Sequence, residues 1–259
     1  MSEMLKLILI QFDIEWHAID KNLSKIQKIL DKVEWPVDII VLPEMFATGF
    51  TMQPELFSED EHKSVHKWLT NLAEKFKCAV IGSHPDKMNG RFFNRLHFFS
   101  PEGVHQYYDK RHLFTMGDEH KHYTYGSERR IIEYKSWNIL PLICYDLRFP
   151  VWSRNNNAKY DLLIYIANWP AARNSAWEVL LRARAIENQC FVVGVNRTGK
   201  DGRGIQYCGN SQVVSPKGEV LHKINSREVV FTSNLDLSEV RNYRKSFPVL
   251  EDADEFEIK

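Results

Sequence analysis

Along the chain, continuous apolar runs alternate with stretches whose apolar residues recur at helical spacing. The runs at 6–13, 38–42, 79–82, 138–144, 162–167 and 191–195 are short, rich in β-branched residues and bounded by turn formers, and they predict strands. Segments 92–99 and 104–108 predict a hairpin around Pro101, Glu102 and Gly103, and 211–214, 219–222 and 229–235 predict further strands. Between them, Leu23, Ile26, Ile29, Leu30 and Val33 mark one helical stripe, and Val65, Trp68, Leu69, Leu72 and Phe76 another. A short helix is expected around Pro150. The spacing of Ser175 and Glu178 predicts a capping box opening a helix through Gln189, with Trp177, Leu180, Leu181, Arg184 and Ile186 along much of one face. Continuous apolar strands need cover on both faces. Two such sheets packed together, each backed by helices, give an α/β fold of four layers, an α-β-β-α sandwich.

No repeat or low-complexity linker divides the sequence, so one domain over 1–259 is expected. Its closing residues, EDADEFEIK, form an acidic tail from about 248. The 259 residues are 44% hydrophobic and 26% charged, which excludes a disordered or fibrous chain. The 34 basic and 34 acidic side chains cancel, so no overall field steers the protein to nucleic acid or an anionic membrane. No apolar run approaches the roughly 18 residues of a membrane span. The first apolar run carries charges and lacks a small-residue cleavage site, so it reads as a strand rather than a signal peptide, and a cytoplasmic protein is expected. The four cysteines, Cys78, Cys144, Cys190 and Cys208, contain no C-x-x-C pair and are expected as reduced thiols.

Three polar residues stand where buried strands end, the place at which parallel sheets bind ligands. Glu44 follows DIIVLP, Lys110 follows QYYD, and Cys144 follows NILPLI. A thiol at a strand end before a helix N-terminus is expected to feel the positive end of the helix dipole, which favours the thiolate. Glu119 lies in a polar stretch, MGDEHKHY, expected as a loop. Its neighbours His120 and His122 have the spacing of a metal pair, but no fourth ligand accompanies them, and no metal is assigned. No nucleophile-elbow, P-loop or dinucleotide-binding glycine pattern is present. The glycines of GKDGRG, 199–204, are expected in a loop.

Taken together, these pieces resemble the nitrilase superfamily of carbon–nitrogen hydrolases. The resemblance rests on LPEMF around Glu44, YDKRHLF around Lys110 and ICYDLRFP around Cys144, in that order. It is supported by LILIQFDIEW near the start, ANWP at 167–170 and LLRARAIENQCFVVGVNRTG at 180–199, so that it spans about 6–236. It implies the four-layer sandwich and a triad of Glu44, Lys110 and Cys144. It also implies a second glutamate between the Lys and the Cys, seven residues before a glycine, a description that fits Glu119 before Gly126 rather than Glu128 or Glu133. One departure is Val151, where many relatives have glutamate after RFP; a bacterial ω-amidase-like branch shares it.

The resemblance therefore implies a cysteine-dependent amidase that needs no cofactor. In such an enzyme Cys144 attacks an amide, Glu44 carries protons, Lys110 and the Tyr145 N–H stabilise the oxyanion, and a thioester releases ammonia and then acid. The expected substrates are short dicarboxylic acid monoamides, such as 2-oxoglutaramate or 2-oxosuccinamate. A distal carboxylate calls for an arginine fork, for which Arg173 is the candidate. Arg148 reads as structural, and Phe46 and Trp169 as pocket walls. Other members of the superfamily act on N-carbamoyl amides, deaminated glutathione or nitriles, and a catalytically idle scaffold would keep the fold alone. The resemblance further implies a homodimer or higher homo-oligomer.

Overall fold

The computed structural model describes residues 3–258. The first half of the chain runs β1 (Met4–Gln11), α1 (Ile19–Leu30), β2 (Ile39–Val41), α2 (Glu59–Phe76), β3 (Ala79–Met88), β4 (Arg91–Phe99) and β5 (His105–Asp109). Next come α3 (Glu119–His122), β6 (Ile132–Tyr134), β7 (Trp137–Ile143), α4 (Pro150–Ser153), β8 (Leu162–Ala167), α5 (Asn174–Asn188) and β9 (Phe191–Asn196). The chain finishes with β10 (Thr198–Lys200), β11 (Gln206–Cys208), β12 (Gln212–Val214), β13 (Val220–Lys223), β14 (Val229–Asp236) and α6 (Leu237–Ser246).

Two six-stranded sheets result, in the orders β14-β1-β2-β3-β4-β5 and β13-β12-β9-β8-β7-β6. Each has a parallel centre, β1-β2-β3 in one and β7-β8-β9 in the other, with antiparallel strands at its edges. The two-residue period of β1 sorts its side chains between layers. Leu5, Leu7 and Leu9 join a core shared with the second sheet, whereas Ile8 and Ile10 turn outward under α1 and α2. Strand β8 is buried at every position, as an apolar run covered on both sides must be, and Trp177, Leu181 and Ala185 of α5 lie against the same core. The α-β-β-α sandwich expected from the pattern is thus the observed architecture.

Several local expectations fail for local reasons. Ser175 sits inside α5, not at its cap; no side chain caps that helix, and Glu178 instead accepts from the Asn174 side-chain amide at 2.6 Å. Ile186 of the same helix is exposed, and the buried face runs through Trp177, Leu181, Arg184, Ala185 and Asn188. Strand β3 continues to Met88 because β4 pairs with it antiparallel over that whole length. The glycine-bearing stretch 199–204 is mostly the expected loop, at 201–204, but it closes a small hairpin, β10-β11, whose pairing no apolar run announces. β6 and α6 have no counterpart in the sequence expectations. α6 carries few apolar residues, yet Leu237 and Val240 are buried in the main core.

Candidate active site

The ends of four strands converge between the sheets. Glu44 follows β2, Lys110 follows β5, Cys144 follows β7 and Asn168 follows β8. Three of the loops turn on left-handed backbone that side chains seldom adopt: Met45 (φ 46°), Asp118 (φ 64°) and Cys144 itself (φ 45°). These tight turns aim Glu44, Glu119 and the Cys144 thiol inward rather than along their chains.

The structure brings Glu44, Lys110, Glu119 and Cys144 together. Lys110 Nζ donates to Glu44 Oε1 at 2.8 Å and to both oxygens of Glu119, at 3.1 and 2.9 Å. Both carboxyl groups and the ammonium are fully buried. Asn94 on β4 ties the two acids together, its amide nitrogen donating to Glu44 at 2.8 Å and to Glu119 at 2.9 Å. Glu44 Oε2 also accepts the Asn168 backbone N–H at 2.7 Å, and Glu119 Oε2 the Phe114 N–H at 2.6 Å. Removing any one of these groups would leave buried charge unpaired, which is costly. Glu119, expected in a loop, opens a single helical turn and is wholly inside, while His120 stands exposed, so the two do not gather as metal ligands.

The charges set the protonation of the thiol. Burial pushes the Cys144 thiol well above its ordinary range; Glu44 and Glu119 push it further, against the opposing pull of Lys110. This overturns the expected dipole-favoured thiolate. Only a short 3₁₀ turn, Cys144–Arg148, begins at the cysteine, and burial with two neighbouring carboxyl groups outweighs it. Burial would lower the Lys110 ammonium, but Glu119 and Glu44 overcome that and hold it above its usual value. Burial likewise raises Glu119, with Lys110 pulling the other way. A group of two acids sharing one cation thus sits beside a neutral thiol.

Behind the cysteine, Asp146 accepts from the Ile143 N–H (3.1 Å), Tyr108 OH (2.8 Å) and the His112 N–H (3.0 Å), which fixes the turn carrying the thiol. In front of it lies a cavity of about 190 Å³. Tyr145, Trp169 and Arg173 line it, as the sequence reading expected of pocket residues. Phe46 does not. It is fully buried on the outer side of the first sheet, 6.0 Å from the Trp68 ring, and the aromatic walls are Phe50, Phe114 and Tyr207 instead. Arg148, read as structural, also faces the cavity with its guanidinium over Trp169 (5.0 Å); Arg173 lies over Phe114 (5.2 Å), and Arg203 completes the rim. Among the described residues none of these three arginines pairs with a carboxylate.

Asn94, Asn168, Phe50 and Arg203 were not foreseen. Asn168 stands at a strand end, the same signal that marked Glu44 and Cys144. Asn94 gave one weak sign, a polar residue inside the apolar run FFNRLHFF.

The family model described as carbon-nitrogen hydrolase matches residues 7–245. The chain belongs to the carbon–nitrogen hydrolase family. This carbon–nitrogen hydrolase is 44% identical to the omega-amidase YafV of Escherichia coli (strain K12) over 255 residues, 98% of each chain. It is 36% identical to the 2-oxoglutaramate amidase of Bacillus subtilis (strain 168), covering 94% of this chain and 95% of the relative. Among solved structures, XC1258 from Xanthomonas campestris, a CN-hydrolase superfamily protein with an arsenic adduct in its active site, superimposes with a TM-score of 0.95 at 38% identity, covering 99% of both chains. The protein is therefore an enzyme, a hydrolase of carbon–nitrogen bonds, and not an idle scaffold.

Proposed function

We propose that this hydrolase is an ω-amidase that releases ammonia from the terminal amide of short dicarboxylic acid monoamides such as 2-oxoglutaramate and 2-oxosuccinamate. The observation that carries the reading is the cavity: a thiol at its base, and on its walls Arg148, Arg173 and Arg203 without carboxylate partners. At about 190 Å³ it is smaller than the pockets of drug-sized ligands and suits a short substrate with an anionic end. The names of the E. coli and B. subtilis relatives support the same substrate class.

In this mechanism Glu44 takes the Cys144 proton as the sulfur attacks the amide carbon. Because the free thiol is held neutral, transfer to Glu44 accompanies attack rather than preceding it. The Lys110 ammonium and the Tyr145 N–H, an amide in the first turn of its helix and so without an intrahelical acceptor, stabilise the tetrahedral oxyanion. Glu44 returns the proton to the departing nitrogen and ammonia leaves a thioester. Water activated by Glu44 then attacks the thioester, freeing the acid and the thiol. Glu119 holds Lys110 in place, and Arg173 receives the distal carboxylate. The reading carries with it a homodimer working in the cytoplasm; a monomer by light scattering at micromolar concentration contradicts the dimer.

The test is ammonia release by purified enzyme from 2-oxoglutaramate and succinamate, beside a carbamoyl amino acid and a nitrile. Release is expected from the two monoamides, and Cys144→Ala should remove several orders of magnitude of it. Arg173→Gln should raise KM for them more than it lowers kcat. Activity confined to the carbamoyl compound or the nitrile overturns the substrate assignment, and a Cys144→Ala enzyme with more than about a hundredth of wild-type activity overturns the nucleophile.

A further inference from the structure

On the far side of the first sheet, away from the cysteine, His62 and His66 of α2, His84 of β3 and His97 of β4 collect under the helix, with His105 of β5 behind His97. Nε2 of His62, His66, His84 and His97 is in each case buried without a hydrogen-bond partner. A buried polar nitrogen left unsatisfied is uncommon and calls for an explanation, and here four occur side by side. The ligand atoms of His66, His84 and His97 lie within 4.8 Å of one another. Among the described residues this is the one such group of three.

In His84 and His97 the other ring nitrogen is already engaged in the way metal-binding imidazoles require. His84 Nδ1 lies 2.6 Å from the Pro85 carbonyl oxygen, so it carries the proton and donates, which leaves Nε2 with a free lone pair. His97 Nδ1 lies 3.0 Å from His105 Nε2, where the same tautomer satisfies both. Asp86 Oδ2 stands 3.8 Å from His66 Nε2 and 3.9 Å from His97 Nε2. It already pairs with Arg95, which Asp109 grips through two further bonds. Asp86 is thus the anionic group within reach of the rings, and the Arg95 guanidinium it pairs with is held on its other side by Asp109. A surface cavity of about 510 Å³, lined in part by His62, His66 and Asp86, gives a path in from solvent.

We infer that His66, His84 and His97, with Asp86 in reach, form a binding site for a divalent transition-metal ion of the zinc, cobalt or nickel class. Imidazole nitrogen is a donor these ions prefer. Tetrahedral ligands about 2.0–2.1 Å from zinc stand roughly 3.3 Å apart, so the nitrogens must close by up to about 1.5 Å. His66, partly exposed on a helix, is the ligand free to move. The ion would fasten α2 to β3 and β4. Its ligand His84 is one residue along β3 from Ser83, whose hydroxyl and carbonyl accept the Met45 and Phe46 N–H groups just after Glu44, and its ligand His97 is on the same strand, β4, as Asn94. The role is a structural brace, independent of the proposed substrate and chemistry.

Cobalt(II) titration of the whole metal-stripped enzyme, followed by visible absorption, tests this, with zinc competition to give the affinity. One equivalent should bind with the visible bands of a nitrogen- and oxygen-ligated ion and no thiolate charge-transfer band, and zinc should raise Tm. His66→Ala should weaken binding about tenfold or more and abolish the zinc-induced rise in Tm, while His222→Ala, exposed and remote, should change neither. Binding short of one equivalent with metal at about a hundredfold excess overturns the site. So does a thiolate band, or an affinity unaltered by His66→Ala.

Discussion

Among single residues, Cys144 departs furthest from the behaviour its sequence position suggested. A thiol next to a helix start is normally made acidic, yet here burial and Glu44 raise it. The sign follows directly: a thiolate would add a second uncompensated negative charge to a group that already has two acids and one cation. In the substrate-free enzyme, alkylation of Cys144 by iodoacetamide should still be accelerating above pH 9.0, the ordinary thiol value. Glu44→Gln removes the carboxylate that opposes ionisation, so its alkylation profile should move to lower pH, while turnover falls by about 10²–10⁴-fold for want of a proton carrier. Rates measured against pH, with the modified peptide mapped by mass spectrometry, check both. A wild-type plateau at neutral pH contradicts the neutral thiol.

For elements, the question is how a loop end is held within an ångström. Lys110 leaves β5 with its carbonyl accepting the Gly126 N–H at 2.9 Å, and a Cβ at Gly126 would lie 2.2 Å from the Asp109 carbonyl oxygen. That approach is the physical reason for a glycine seven residues after Glu119: the extended segment returning from α3 presses on the backbone that presents the lysine. Gly126→Ala must displace the end of β5, and a shift of about 1 Å in a reacting group costs on the order of 10²-fold. Its kcat should fall by about 10–10²-fold with Tm also lowered; an unchanged kcat contradicts the coupling. Elements also explain the histidines. His62 and His66 share a helix face by their four-residue spacing, but their meeting with His84 and His97 depends on α2 lying across paired strands. No spacing in the chain announces it.

In the whole molecule, stability rests on the core that joins the two sheets and α5. Leu181 is fully buried there, and a Cβ on Gly194 would come within 2.5 Å of it, so the fit leaves no slack. Leu181→Ala should cost about 2–5 kcal/mol in denaturant unfolding, with the midpoint shifted and the slope retained. A loss under about 1 kcal/mol would mean that the site collapses around the deletion. The four layers were legible in the chain because continuous apolar strands and 3.6-residue stripes are consequences of burial on two faces and one, and burial is written in residue type. The strand-end positions of Glu44, Lys110 and Cys144 were legible for the same reason, and the resemblance added Glu119. Not legible were the place of Asn94 between the two acids, the turn of Arg148 and Arg203 to the cavity beside the expected Arg173, the outward turn of Phe46 and the gathered histidines. Each of these depends on which face of a strand meets which neighbour, a property of pairing register and layer packing between residues tens of positions apart. The sequence by itself determined which segments are strands and helices and which loops carry chemistry, since local hydrophobic pattern decides those. Only the tertiary structure decided the protonation of the thiol and the company it keeps, because both depend on charges and burial contributed by distant parts of the chain.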